Sequence, residues 1–177
     1  MTKLTDLERD RSAVILTQER LKQVLSYDLE TGKFARISAS RRSDRVGKEP
    51  GWADKKGRRF ICVDGKEYLA HRLAHLYVTG KWPEAEIDHK NCKQSVNAWQ
   101  NLRPATRGQN AANIHKRSGT SSKFKGVHWD KSKKKWRAAI MVNYRCLHLG
   151  RFKVEEQAAE AYRVAAIKHF GEFARFA

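Results

Sequence analysis

The stretch IDHKNCKQSVNAWQNLRPATRGQN, residues 87–110, constrains the fold more than any other part of the chain. Short of apolar residues and crowded with carboxamides, it cannot be one packed helix or strand along its length. Glu86-Ile87-Asp88-His89 reads as a short extended segment, and NLRPAT, from Asn101, as a second one. Thr106 is placed to cap a helix over TRGQNAANIH. Strand, loop, strand and helix can then bring Asp88, His89 and Asn110 together in space. The opposing reading is a polar surface loop, and chemistry separates the two. A carboxylate and a carboxamide oxygen are hard ligands suited to magnesium or manganese. An adjacent imidazole that does not ligate the ion is free to take a proton from water. Those parts suffice to hydrolyse a phosphodiester.

The charge agrees with such a substrate. The chain of 177 residues, room for one ordinary domain or two small ones, carries a formal +18 and a pI near 10.1. That balance points to a polyanionic partner, most often nucleic acid. From Lys116 onward 15 Lys/Arg face 5 Asp/Glu, leaving 22 against 14 before it, so both halves can touch phosphate. The longest aliphatic run near the N-terminus, Ala13-Val14-Ile15-Leu16, is too short for a membrane span or a signal-peptide core. No membrane partner is expected. Cys62, Cys92 and Cys146 are odd in number and far apart, which suits free thiols in a reducing cytoplasm.

Elsewhere the patterning is ordinary. Thr17 can cap a short helix with Leu21, Val24 and Leu25 on one face, and YDLETGKFARI reads as two strands around Thr31-Gly32. Residues 38–50 form a basic loop. RRFICVDGKEYLA is a hairpin with Asp64-Gly65 as its turn. The helix HRLAHLYVTG follows, with Leu69, Leu73 and Leu76 near one face and Gly80 at its end. His71 and His75 have a metal-binding spacing, but without an H-E-x-x-H arrangement they read as structural or phosphate-facing. The Ser/Gly/Thr-rich residues 116–123 mark the best domain boundary: a first region over 1–115, a linker over 116–123, and a second unit over 124–177.

In that second unit FKGVHWD, KWRAAIMV and RCLHLGRF read as three antiparallel strands. Trp136, Ala138, Ile140 and Val142 lie on one face, with Leu147 and Leu149 on the same inner side. A helix from about Val154 to His169 presents a stripe of Ala158, Ala161, Tyr162 and Ala165. One helix on three strands leaves the other sheet face open, with Arg137, Ala139, Met141, Cys146 and His148 on it and KSKKK at its edge. A cationic open sheet can sit in a DNA groove. The expected DNA contacts are Arg103, Lys125, His128, Lys133, Lys134, Lys135, Arg137, Arg145, His148 and Arg151.

The string HRLAHLYVTGKWPEAEIDHKN...N...NLRPATRGQNAAN resembles the HNH endonucleases, most closely the intron- and phage-encoded members. The likeness runs from about Gly51 to Asn113, with Asn101 12 residues after His89 and Asn110 9 after Asn101. It implies an α+β fold in which a ββα-metal nuclease module (core about 51–115) precedes the sheet-and-helix unit. By the same likeness His89 is the general base, Asp88 and Asn110 hold one divalent metal ion, and Asn101 braces the metal loop and orients the base. Asn97 and Arg103 fall to loop bracing or phosphate contact. Asparagine as the third motif letter favours magnesium or manganese over zinc. Water would attack phosphorus in double-stranded DNA, leaving a 5′-phosphate and a 3′-hydroxyl.

KGVHW, KKWRAAI, LHLGRF and EEQAAEAYRVAAIKHFGEFA are similar to the plant apetala-two/ethylene-response-factor DNA-binding domain, a three-stranded sheet in the major groove backed by a helix. His128, His148, Ala139 and Met141 depart from its base-reading positions, so its target sequence does not carry over. Fusion of the two modules is typical of homing-type endonucleases, often in phages. The rival reading is a non-catalytic DNA-binding regulator, which intact Asp88, His89, Asn101 and Asn110 disfavour; a structural RNA-binding protein is weaker still.

Overall fold

The computed structural model of the chain describes residues 15–37, 46–116 and 118–176. Its architecture is α+β, with helices packed on small antiparallel sheets. Helix α1 (Gln18–Val24) starts where Thr17 Oγ1 accepts from Arg20 N. It leads into the hairpin β1 (Leu25–Tyr27) and β2 (Phe34–Arg36). A three-stranded sheet follows, β3 (Trp52–Ala53), β4 (Arg59–Val63) and β5 (Lys66–Leu69), in sequential order. Asp64 and Gly65, both at positive φ (48° and 81°), make the two-residue turn between β4 and β5 that the sequence predicts. Of the basic loop expected over 38–50, residues 38–45 lie outside the described ones.

Helix α2 (Ala70–Thr79) ends at Gly80 in the left-handed conformation, φ 74°. Leu73 and Leu76 are fully buried, whereas Leu69 closes β5 as the residue before the helix. Leu21, Leu25, Phe34, Ile61, Leu73, Leu76, Ile87 and Leu102 join in one core, which ties α1, both N-terminal sheets and α2 to the next motif. That motif is β6 (Glu86–His89), a loop, β7 (Leu102–Ala105) and α3 (Arg107–Asn113). β6 and β7 pair antiparallel, Asp88 opposite Arg103 and His89 opposite Leu102. Thr106 and Gln109 form a reciprocal capping box at the start of α3.

The last unit is β8 (Val127–Asp130), β9 (Lys135–Val142), β10 (Arg145–Phe152) and α4 (Glu155–Phe170), with β9 central. Val127, Ala138 and Ala158 form one part of its core, and Ile140, Tyr162, Ala165 and Ala166 the other. Small side chains let α4 lie close on the sheet. The register breaks between His148 and Gly150, a bulge the alternation did not foretell. Past it Leu149 packs into both core clusters, while Leu147 keeps 38% of its surface.

Candidate active site

Asp88 and His89 are neighbours in the last two positions of β6, so the pleat sends their side chains to opposite faces. Asp88 faces Arg103 and α3 and keeps 3% of its surface. Arg103 Nε donates to its Oδ2 at 2.9 Å, and Asn113 Nδ2 donates to Oδ1 and Oδ2 at 2.9 and 3.0 Å. Asn113 Nδ2 also reaches the His89 carbonyl at 2.8 Å, which ties α3 to the strand end. A buried polar group is costly unless hydrogen-bonded, and these donors meet both oxygens of Asp88.

The carboxamide hydrogen-bonded to Asp88 is that of Asn113, while Asn110, expected with Asp88 as a metal ligand, lies one turn earlier on the same face of α3. Asn110 donates from Nδ2 to Glu86 Oε2 at 2.5 Å. The reason is helical geometry. Asn110 and Asn113 share one face of α3 at i, i+3, and Glu86 and Asp88 share one face of β6. The helix runs in the same direction as β6, so the earlier asparagine meets the earlier acid. Asn113 and Glu86 are the site residues that sequence reasoning missed; their shared spacing was the available signal.

His89 faces the other way, towards α2 and the loop, and is 6% exposed. Its Nε2 lies 3.0 Å from Asn97 Oδ1. A carboxamide oxygen accepts, so Nε2 carries the proton and Nδ1 holds the free lone pair. The His71 ring packs edge-on against His89, centroids 5.1 Å apart and planes at 80°. Burial pushes the His89 pKa below its ordinary 6.5, against smaller opposing effects of the Asn97 bond and the Asp88 charge. Burial, helped by the positive environment, takes His71 down to about 4. Both imidazoles are therefore neutral at neutral pH. His75 is turned elsewhere, its Nδ1 2.9 Å from the Lys81 carbonyl, so the i, i+4 pair does not converge.

Asn101 spans the loop between β6 and β7. Its Oδ1 accepts from Asn91 N at 3.0 Å, and its Nδ2 donates to the Val96 carbonyl at 2.7 Å and to Asn91 Oδ1 at 3.1 Å. The N-terminal hairpin supports the same loop from outside. Tyr27 Oη donates to the Asn97 carbonyl at 2.7 Å, and Trp99 N to the Leu29 carbonyl at 2.9 Å. Gly32, at φ 72°, sits so close that a Cβ there would fall 2.1 Å from Ala98 N. Trp99 packs against the main core, which explains an indole inside a polar stretch.

The expected DNA contacts divide into two groups. Arg103 is not a free surface cation. Its side chain is 10% exposed, paired with Asp88, and stacked 3.7 Å over the Phe173 ring. Lys125 is also committed, donating from Nζ to the Ala112 and Ile114 carbonyls at 2.5 and 2.7 Å, where it satisfies the end of α3. Arg145 pairs with Val142 and so alternates to the side away from His148. Lys133, Lys134 and Lys135 crowd the exposed β8–β9 turn. His128, Arg137 and Arg151 form one cross-strand row, and His148 lies opposite Ala139. Arg137 Nε is buried and has no hydrogen-bond partner among the described residues.

The donors on the Asp88 side are carboxylates and carboxamides. Among the described residues no three His, Cys, Asp or Glu side chains gather in a metal-holding group. Carboxylate and carboxamide oxygens of this kind are hard donors that suit a divalent cation. Among the described residues no helix is long and apolar enough to cross a membrane.

A family model described as HNH endonuclease matches residues 68–112, which span α2 to α3. A protein of Acanthamoeba polyphaga mimivirus, named an uncharacterized HNH endonuclease, is 35% identical over 144 residues, 81% of this chain and 74% of the viral one. Two Arabidopsis thaliana proteins named AP2-like ethylene-responsive transcription factors, ANT and PLT2, are 29% and 32% identical over 127 residues each. That is 66% of this chain but 22% of either plant protein. With the Asp-His pair at the strand end, the braced loop and the helix behind it, the chain belongs to the HNH endonuclease family and is a DNA-cleaving hydrolase.

Proposed function

We propose that the chain is a metal-dependent, site-preferring endonuclease of the homing type, which nicks double-stranded DNA with His89 as general base. The observation that carries this reading is the split of Asp88 and His89 onto opposite faces of one strand end. In-line displacement at phosphorus needs the attacking water on one side and the leaving oxygen on the other. His89 Nδ1 takes the proton of the attacking water, a new phosphorus–oxygen bond forms, and the bond to the 3′ oxygen breaks. That oxygen picks up a proton from solvent, leaving a 3′-hydroxyl and a 5′-phosphate. Asn97 holds the imidazole in the tautomer that leaves Nδ1 free, and Asn101 keeps Asn97's loop in place. Asp88 and Asn110 would hold a magnesium or manganese ion, with Glu86 on the same strand face and Asn113 fixing the Asp88 carboxylate. When bound, such an ion supplies Lewis-acid stabilisation of the charge on phosphate.

The C-terminal unit is proposed to grip duplex DNA with its open sheet face. The cross-strand row of His128, Arg137 and Arg151 supports this: Arg151 is paired with Asp130, whereas Arg137 Nε is buried without a hydrogen-bond partner among the described residues, a donor that a DNA phosphate or base edge can meet. The plant relatives, by their names, are transcription factors, and a DNA-binding sheet is the property they lend to this reading. Residues 1–115 would then carry the chemistry and 124–177 the grip.

The test is a supercoiled plasmid incubated with the protein, with magnesium and with chelator. Relaxation to the nicked circle with magnesium alone is expected. His89→Ala should slow nicking by about 10²-fold or more, while DNA affinity stays close to the parent's. Cutting by His89→Ala at the parent rate removes His89 from the chemistry, and chelator-resistant nicking removes the metal.

A further inference from the structure

We propose that the C-terminal segment completes the nuclease centre: Arg175, with Lys90, forms a subsite for a phosphate of the DNA backbone beside Asp88. The inference rests on the reading of Asp88 and His89 as the cutting groups and adds to it a residue from the far end of the chain.

The segment after α4 turns back onto the ββα motif. Glu172 accepts from Arg103 Nη1, through its carbonyl at 3.1 Å and its Oε2 at 3.2 Å. Phe173 covers the flat side of the Arg103 guanidinium. Arg175 then donates from Nε to Asn113 Oδ1 at 3.2 Å and from Nη2 to the Lys90 carbonyl at 3.1 Å. Asn113 thus touches Arg175 with one end of its amide and Asp88 with the other.

Both of Arg175's acceptors are neutral. Among the described residues it makes no ion pair, so its full charge is held in a fixed orientation by groups that do not cancel it. Lys90, exposed on the same cleft, also makes no ion pair among the described residues. The cleft is open, lined by these two with Arg103, Asn113, Glu172 and Phe176. Its two remaining charged groups are spoken for. Arg103 already answers Asp88, and Glu172, 72% exposed at its side chain, leans on Arg103. What stays uncompensated is positive, and it lies one amide away from Asp88. A guanidinium anchored along one edge and open along another suits a phosphodiester oxygen. The open cleft suits a strand passing through it better than an enclosed small molecule.

The test uses the full chain and a duplex oligonucleotide containing a site that the enzyme cuts. Binding is measured without metal at several salt concentrations, and single-turnover cleavage with magnesium at saturating DNA. Arg175→Ala should lower the slope of log affinity against log salt by about one, the value of one phosphate contact. It should also slow cleavage about tenfold or more, as loss of a group aligned on the reacting phosphate does. Arg175→Lys should restore the slope but only part of the rate, because an ammonium lacks the fork. A salt slope equal to the parent's overturns the subsite and leaves Arg175 as a brace. Faster cleavage by Arg175→Ala also overturns it, since the segment would then be a cover. Should Arg175→Ala unfold, Lys90→Ala gives the same two readouts from an exposed position. A parent enzyme that binds DNA but never cuts it refutes the nuclease reading itself, while the salt slope still reports on the subsite.

Discussion

His89 shows how one hydrogen bond can decide the role of a titrating residue. With Nε2 tied to Asn97, the ring offers a single basic nitrogen, and burial keeps that nitrogen unprotonated below the ordinary histidine range. A base that must be neutral loses activity as pH falls through its folded pKa. The acidic limb of the cleavage profile is therefore expected below pH 6.5. Asn97→Ala removes a bond that favours the protonated ring. It should move that limb further down while lowering the plateau rate about tenfold, since the imidazole loses its orientation. A limb that stays put in the variant separates Asn97 from the base. His71 makes a companion prediction about stability. Its folded pKa, about 4, lies below the unfolded 6.5, so the unfolded chain binds more protons between those values. Stability is fully present above pH 6.5 and falls as pH drops towards 4, by about 3 kcal/mol. Denaturant melts of the parent and His71→Gln across that window check this, the variant showing the flatter dependence.

At the scale of elements, α3 and the loop before β7 make the site, and they were unequally legible in the sequence. Thr106, the Asp64-Gly65 turn, Gly80 and the inward face of β9 announce themselves because their signals are local: a cap, a positive φ, a period of two. The pairing of Asn113 with Asp88 is not local. It depends on how α3 lies along β6, and motif spacing alone selected Asn110. Lys125 read as a surface cation because nothing nearby in sequence shows that the end of α3 lies beneath it. The two asparagines now have different expected consequences. Asn113→Ala strips the buried Asp88 carboxylate and the His89 carbonyl of a shared donor, and should cost about 1–3 kcal/mol. Asn110 is half-exposed with one partner, so Asn110→Ala should leave the melting temperature nearly unchanged and raise the magnesium needed for half-maximal nicking. A parent-like magnesium requirement in Asn110→Ala would strike it from the ligand set, and a parent-like melting curve for Asn113→Ala would show that Asp88 has other support.

Across the whole molecule, the composition of residues 116–123 predicts a flexible joint between independent modules, but the contacts found there bind the two units closely. Ser122 is buried and donates from Oγ to Glu155 Oε1 at 2.6 Å, which holds the connecting segment against the start of α4. Lys125 satisfies the carbonyls at the end of α3, and Glu172, Phe173 and Arg175 close over Arg103 and Asn113. A chain ending at His115 keeps Asp88, His89, Asn97, Asn101 and Asn110, yet loses every one of these supports. It also loses 15 of the 37 Lys/Arg that attract DNA. Three consequences should appear together. The melting temperature of the nuclease part falls by about 5 °C or more, because α3 loses its C-terminal partner and the Asp88–Arg103 pair its cover. The slope of log affinity against log salt becomes shallower by several units, as fewer phosphates are neutralised. Cleavage at saturating DNA slows as well, which a lost anchor alone does not explain, since saturation removes the binding deficit. Comparing the shortened and full chains by thermal melts, salt-dependent binding and single-turnover nicking separates these effects. If the shortened chain binds weakly but cuts at the full rate once saturated, the C-terminal unit serves as an anchor alone, and the groups that cleave DNA are complete without it.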